Sequence, residues 1–329
     1  MHVHGHFNGL KTTLLFALMW GVIMLVWWLT GASEDTLVFY LILGIAMNFF
    51  SYFFSDKLAL ASMGAQPVSE QEAPELYQIV RELSTKAGKP MPRIYIAPTM
   101  SPNAFATGRN ERHAAVCCTQ GILHICSWRE IRGVLGHELM HVYNHDILTS
   151  AIASSMATVI TYLGYAFISF GTDRDDDDRG ANPLGMLLAY ILAPIGASLI
   201  QLAISRTREY DADEDGSKLT EDPAALASAL RRIEAAVDSG NTIPVTSGTQ
   251  SAAAMMIENP FRAEGLQKLF STHPPTADRI ARLQQMDRDM HGAAAESAQI
   301  PQYEQYARQP QQVQQSEPGY SQYSQYSSR

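Results

Sequence analysis

Residues 135–141 read Leu135-Gly136-His137-Glu138-Leu139-Met140-His141. On a helix, positions i and i+4 share one face, so both imidazoles can reach one metal ion while Glu138 stands beside them. Zn²⁺ takes imidazole nitrogen at about 2.0–2.1 Å and lowers the pKa of a bound water towards ~7. A neighbouring carboxylate can then accept that water's proton as it attacks a peptide carbonyl. The pattern points to zinc-dependent peptide hydrolysis, with His137 and His141 as ligands and Glu138 as general base. Its surroundings suit a half-buried helix: Ile131, Val134, Leu135, Leu139 and Val142 form an apolar stripe between Trp128 and Asn144.

Catalytic zinc usually takes three protein ligands and a water, so two histidines leave one place to fill. His145 lies four positions on, about 12 Å of helical rise from His137, and with no glycine to break the helix it is carried away from the metal. The better candidate is Glu209 in Ser205-Arg-Thr-Arg-Glu209-Tyr-Asp-Ala-Asp213. Glu209 and Asp213 are again i and i+4, so one carboxylate can bind the metal. The other can accept a hydrogen bond from the remote nitrogen of a ligating histidine.

Outward from these motifs, charged residues are absent from Thr12 to Ser33, Thr36 to Ser55, Ile147 to Thr172 and Gly180 to Ser205. Each stretch reaches the ~20 residues needed to cross a hydrocarbon core as a helix, and Pro194 should bend the fourth. Lys11, Lys57, Arg206 and Arg208 flank the spans on one side, while the turn after the first carries Glu34 and Asp35. That distribution puts both termini and the soluble mass in the cytoplasm. Two spans separate His141 from Glu209, an even number, so both motifs fall on one side. Each also adjoins a span, which sets the metal within about 10–15 Å of the membrane surface.

Between spans two and three, apolar residues at helical spacing predict a helix over Glu70 to Ala87, stopped by Gly88 and Pro90. Short β-type runs follow at Arg93 to Ala97, Asn103 to Thr107 and Ala114 to Thr119, read as a small antiparallel sheet. After span four, helices are expected over Glu209 to Leu219, Ala224 to Val237 and Arg279 to Met290. The 329-residue chain has a net charge of −9, which disfavours nucleic-acid binding. Its three cysteines, Cys117, Cys118 and Cys126, read as reduced core thiols. Ala293 to Arg329 holds ten Gln and five Tyr and is expected to be a disordered tail.

The strings Ser55-Asp-Lys-Leu-Ala59, Pro102-Asn-Ala-Phe-Ala-Thr-Gly108, Leu135 to His141, Ser205 to Asp213, Asn259-Pro-Phe261 and Ser271-Thr-His-Pro-Pro275 occur together. In them the chain resembles the HtpX family of membrane-bound zinc endopeptidases, heat-shock-associated relatives of the CAAX-processing prenyl protease. The resemblance runs to about Leu283. It implies four transmembrane helices bearing a cytoplasmic gluzincin-like α+β protease domain. It also implies one Zn²⁺ held by His137, His141 and Glu209, with Glu138 as base and Asp213 behind the ligands. The setting it implies is the bacterial plasma membrane, and the substrates are misfolded or damaged membrane proteins. The Gln/Tyr-rich tail, the aspartate-rich loop near Asp175 and the N-terminal His2, His4 and His6 depart from the family pattern and touch none of these strings.

In similar proteases an edge strand pairs with substrate backbone, which makes Asn103, Ala104, Phe105 and Ala106 the candidate substrate strand. His273 is a candidate donor to the tetrahedral oxyanion. The expected organisation is 1–55 with spans one and two, 56–146 with the HExxH helix, 147–205 with spans three and four, 206–290 with the third ligand, and 291–329 as tail. Two alternatives stand beside a quality-control protease. One is a processing protease with few clients; the other is a silent membrane scaffold, against which retention of Glu138 argues. Sequence leaves the oligomeric state open.

Overall fold

The computed structural model describes residues 8–29, 34–169, 186–187, 190–192, 195, 206–242, 255–257 and 274–292. Two helices, α1 (Asn8–Leu29) and α2 (Glu34–Ser62), are long and apolar enough to cross a membrane. On α1, Leu15, Met19, Val22 and Ile23 pack on Ile152, Ala153, Met156 and Ile160 of α6 (Asp146–Ser169), where the third span was expected. Large side chains such as Phe39, Ile42, Ile45 and Phe49 stand exposed along α2, the arrangement of a surface solvated by lipid. The fourth expected span lies outside the described residues except for a few positions, and so do Pro194, the aspartate-rich loop, His2, His4, His6 and nearly all of the tail.

A four-stranded sheet joins β1 (Gln66–Pro67), β2 (Arg93–Ala97), β3 (Ala104–Gly108) and β4 (Ala114–Thr119) in the order β1-β2-β4-β3. It corrects the all-antiparallel expectation. β3 and β4 form an antiparallel hairpin, with Gly108 at φ 139° and Asn110 capping the turn, but β2 pairs with β4 in parallel. The connection through Met100 and Pro102 carries the chain past the place β4 will take, so neighbours in sequence are separated in the sheet by one strand. Alternation follows the pleat. Ile94, Ile96, Ala104, Ala106, Val116 and Cys118 face the main core, while Ala97, Phe105, Ala115 and Cys117 face the last turns of α2.

The main core is closed by helices α3 (Pro74–Ala87), α4 (Gln120–Ile125), α5 (Trp128–Tyr143), α7 (Arg206–Thr220), α8 (Pro223–Asp238) and α9 (Thr276–His291). α3 starts at Pro74, four residues after the expected Glu70, because proline suits the first turn; Gly88 ends it at φ 64°. α5 starts at a capping box between Ser127 and Glu130. It ends at Tyr143, which corrects the continuous helix expected through His145. His145 adopts φ 60°, and the chain turns there into α6.

Candidate metal centre

α5 presents His137 and His141 on one face, and the crossing of α7 brings Glu209 onto it. Close backbone approach makes this crossing possible: a Cβ on Gly216 of α7 would lie 2.8 Å from the His137 nitrogen. The Nε2 atoms of His137 and His141 are 3.2 Å apart. Glu209 places Oε1 at 3.5 Å from His141 Nε2 and Oε2 at 3.8 Å from His137 Nε2. Ligand atoms around a tetrahedral zinc lie about 3.3–3.4 Å from one another, so the three groups fit such an ion.

The other ring nitrogens fix the tautomers. His137 Nδ1 lies 2.9 Å from Asp213 Oδ1 and His141 Nδ1 lies 3.2 Å from Asp146 Oδ2. Each Nδ1 therefore carries hydrogen towards a carboxylate, and both Nε2 lone pairs face one another. Such a pair repels unless a cation sits between them. In the metal-free protein a proton on His141 does this. Burial opposes that charge, but the Asp146 hydrogen bond and the charges of Glu209, Asp146 and Glu138 outweigh it and raise the group to about 9. Burial instead holds the His137 pKa low, against the pull of Asp213.

Glu138 is 1% exposed, and among the described residues neither of its carboxylate oxygens has a close hydrogen-bond partner, although the Ala106 backbone still favours its charged form. Burial, with a smaller push from Glu209, lifts its pKa to about 7 against the attraction of His141 and Arg279. A carboxylate poised there can both take and return a proton near neutral pH. It lines a cavity with Ala106, His141, Glu209 and Met256.

Two supports escaped sequence reasoning. Arg279, fully buried, donates from Nε and Nη2 to the two oxygens of Asp213 at 2.8 and 2.7 Å and from Nη1 to the Ile257 carbonyl at 2.8 Å. Its signal was a cation on the buried stripe Thr276, Arg279, Leu283. Asp146 is the other, reached only because the helix breaks at His145. His145 itself is 58% exposed at its side chain and points to Glu111, 3.9 Å away.

Of the expected substrate strand, Ala106 lines the cavity, whereas Ala104 and Phe105 are engaged by the chain itself. The Ala104 carbonyl accepts from the Ile257 N–H at 3.0 Å, and Phe105 bridges to Met256. Asn103 is buried, its backbone N–H donating to Thr119 Oγ1 at 2.9 Å. His273 lies outside the described residues. Cys117, Cys118 and Cys126 are free and buried, and burial pushes the thiols of Cys118 and Cys126 up to about 12.

Residues 70–287 match the family described as Peptidase family M48. A protein named Protease HtpX homolog from Bifidobacterium longum (strain NCC 2705) is 71% identical over 295 residues, covering 88% of this chain and 95% of that one. Another of that name, from Pseudarthrobacter chlorophenolicus, is 56% identical over 287 residues, covering 86% and 98%. Among solved structures, a crystal structure of S. mikatae Ste24p is similar over 84% of this chain and 63% of its own, at 18% identity and a TM-score of 0.45.

Proposed function

Since this chain belongs to peptidase family M48, among the HtpX proteases, we propose that it is a zinc endopeptidase of the bacterial plasma membrane acting on misfolded or damaged membrane proteins. His137, His141 and Glu209 hold the metal, and the two Nε2 atoms facing at 3.2 Å across from the Glu209 carboxylate carry this reading. Bound zinc would supply Lewis acidity towards water and towards the scissile carbonyl. Asp213 and Asp146 fix the histidine tautomers. Glu138 takes a proton from the attacking water and passes it to the leaving amine. The backbone of β3 at Ala106 aligns substrate beside Glu138, a reading supported by the cavity the two residues share.

Burying a carboxylate that lacks a close hydrogen-bond partner among the described residues costs stability, and Glu138 contributes nothing to packing that glutamine would not. Its retention favours catalysis over a silent scaffold. The membrane setting is supported by α1 and α2 and by the start of α6 five residues beyond His141. Both termini and the site are assigned to the cytoplasm, with α6 and the stretch Gly180 to Ser205 as the third and fourth spans.

Glu138→Gln tests the reading. Cleavage of an unfolded membrane-protein substrate should disappear while zinc still co-purifies at near one per chain; activity within tenfold of the parent overturns the role. Comparing membrane proteomes with the parent and with this variant separates the client classes. Many partly unfolded clients support quality control, and one client supports processing.

A further inference from the structure

The start of α1 is docked on the turn between the metal helix α5 and α6 by buried polar contacts that a membrane anchor does not need. Asn8, 8% exposed, donates from Nδ2 to Asp146 Oδ1 at 2.9 Å and lies 3.4 and 3.3 Å from the carbonyls of Asn144 and His145. The same Asp146 meets His141 Nδ1 through its other oxygen. Arg208, buried, brings Nη1 to 3.6 Å of Asp146 Oδ1.

Geometry shows why this contact matters. Asp146 lies five positions after His141; on a continuous helix, at about 100° per residue, the two side chains would point about 140° apart and could not meet. The left-handed turn at His145 swings Asp146 back under His141. A left-handed conformation in a residue other than glycine is strained and persists only where its surroundings hold it. The Asn8 carboxamide supplies that hold, reaching the carbonyls of Asn144 and His145 where α5 ends and also the carboxylate that the turn delivers.

We propose that Asn8 is a positioning residue of the metal centre, acting through Asp146 on His141, so that α1 is a working part of the site as well as a membrane span. This rests on the assignment of His141 as a metal ligand. A carboxylate directly behind a ligating histidine typically changes metal affinity 10–100-fold, and a group one contact further out should reach the low end, about tenfold.

The test uses the full chain in detergent, with zinc affinity read by chelator competition and ligand geometry read from the visible spectrum of the cobalt(II)-loaded protein. Asn8→Ala should weaken zinc about tenfold and Asp146→Asn by 10–100-fold, both shifting the cobalt bands in the same direction. The double variant should be no weaker than Asp146→Asn alone, because Asn8 acts through that residue. Thr12→Val removes a contact to Thr149 one turn along α1 without touching Asp146, and should change neither readout. If Asn8→Ala does not fold, Asn8→Ser, which retains a donor, should fall between the parent and Asp146→Asn. Multiplying losses in the double variant, an unchanged affinity in Asn8→Ala, or equal losses in Thr12→Val and the Asn8 variant overturn the proposal. A parent chain that binds neither metal overturns the metalloprotease reading itself, a result none of those outcomes can imitate.

Discussion

Replacing Gly216 by alanine asks for space that the crossing of α5 and α7 does not have. The new Cβ would lie 2.8 Å from the His137 nitrogen, 2.9 Å from its Cα and 3.0 Å from the Gly136 carbonyl carbon, all of them backbone atoms. Comfortable carbon contacts begin near 3.5 Å, so the helices must separate by roughly 0.5–0.7 Å. Overpacking of this kind costs about 1–3 kcal/mol, while alanine returns about 0.5–1 kcal/mol of helix propensity over glycine. The net loss of stability is therefore small, about 0–2.5 kcal/mol. The effect on the metal is large by comparison. Glu209, two turns earlier on α7, already stands 3.5 and 3.8 Å from the two Nε2 atoms. A further half ångström exceeds the tolerance of about 0.2 Å in metal–ligand distance. Gly216→Ala should thus lose more than tenfold in zinc affinity by chelator competition while its melting temperature falls by only a few degrees. Gly21→Ala on α1, where a Cβ meets nothing within 4 Å, should change neither. A Gly216→Ala protein that melts higher than the parent and binds zinc within twofold of it would refute the close-approach argument.

Glu209→Ala should cost zinc far more than 100-fold, Asp213→Ala 10–100-fold, and His145→Ala nothing, as metal analysis of the purified variants will read. Zinc uptake should also depend on pH. In the metal-free protein the His141 pKa is raised from 6.5 to about 9, so its proton stabilises the fold fully below pH 6.5 and that contribution is lost as pH climbs through 9. Zinc displaces this proton, so apparent affinity should rise about tenfold per unit between pH 6 and 8; a flat profile would remove the proton from His141. A cysteine at Asp176 should react with an impermeant thiol reagent in intact cells and one at exposed Glu75 should not, against the low background of three buried native thiols. Equal labelling at both sites would break the assigned topology.

Local rules made part of this architecture readable. Short β-type runs between Pro and Gly/Asn turns located β2, β3 and β4 within a residue, and the four-residue spacings put His137 with His141 and Glu209 with Asp213 on common helix faces. Strand order was not readable, because the turn at Met100 to Pro102 looks like a hairpin link although β4 inserts between its strands. The break at His145 was not readable either, since the contact made at that turn comes from Asn8, 137 positions away, rather than from its neighbours in sequence. Arg279 sits in a helix whose other arginines, Arg282 and Arg288, are exposed; only the fold reveals that its partner is Asp213, 66 positions away.

That arginine has a consequence for the order of synthesis. Arg279 follows His137 by 142 residues. At about 5–20 residues per second, His137 exists for some 7–28 s, and Asp213, 66 residues before Arg279, for some 3–13 s, before the guanidinium that neutralises Asp213 has been made. Until α9 docks, Asp213 lacks its counter-ion and the His137 ring lacks its fixed support. A ribosome-bound chain therefore carries the candidate ligands without a finished site, which matures only when α9 has left the exit tunnel.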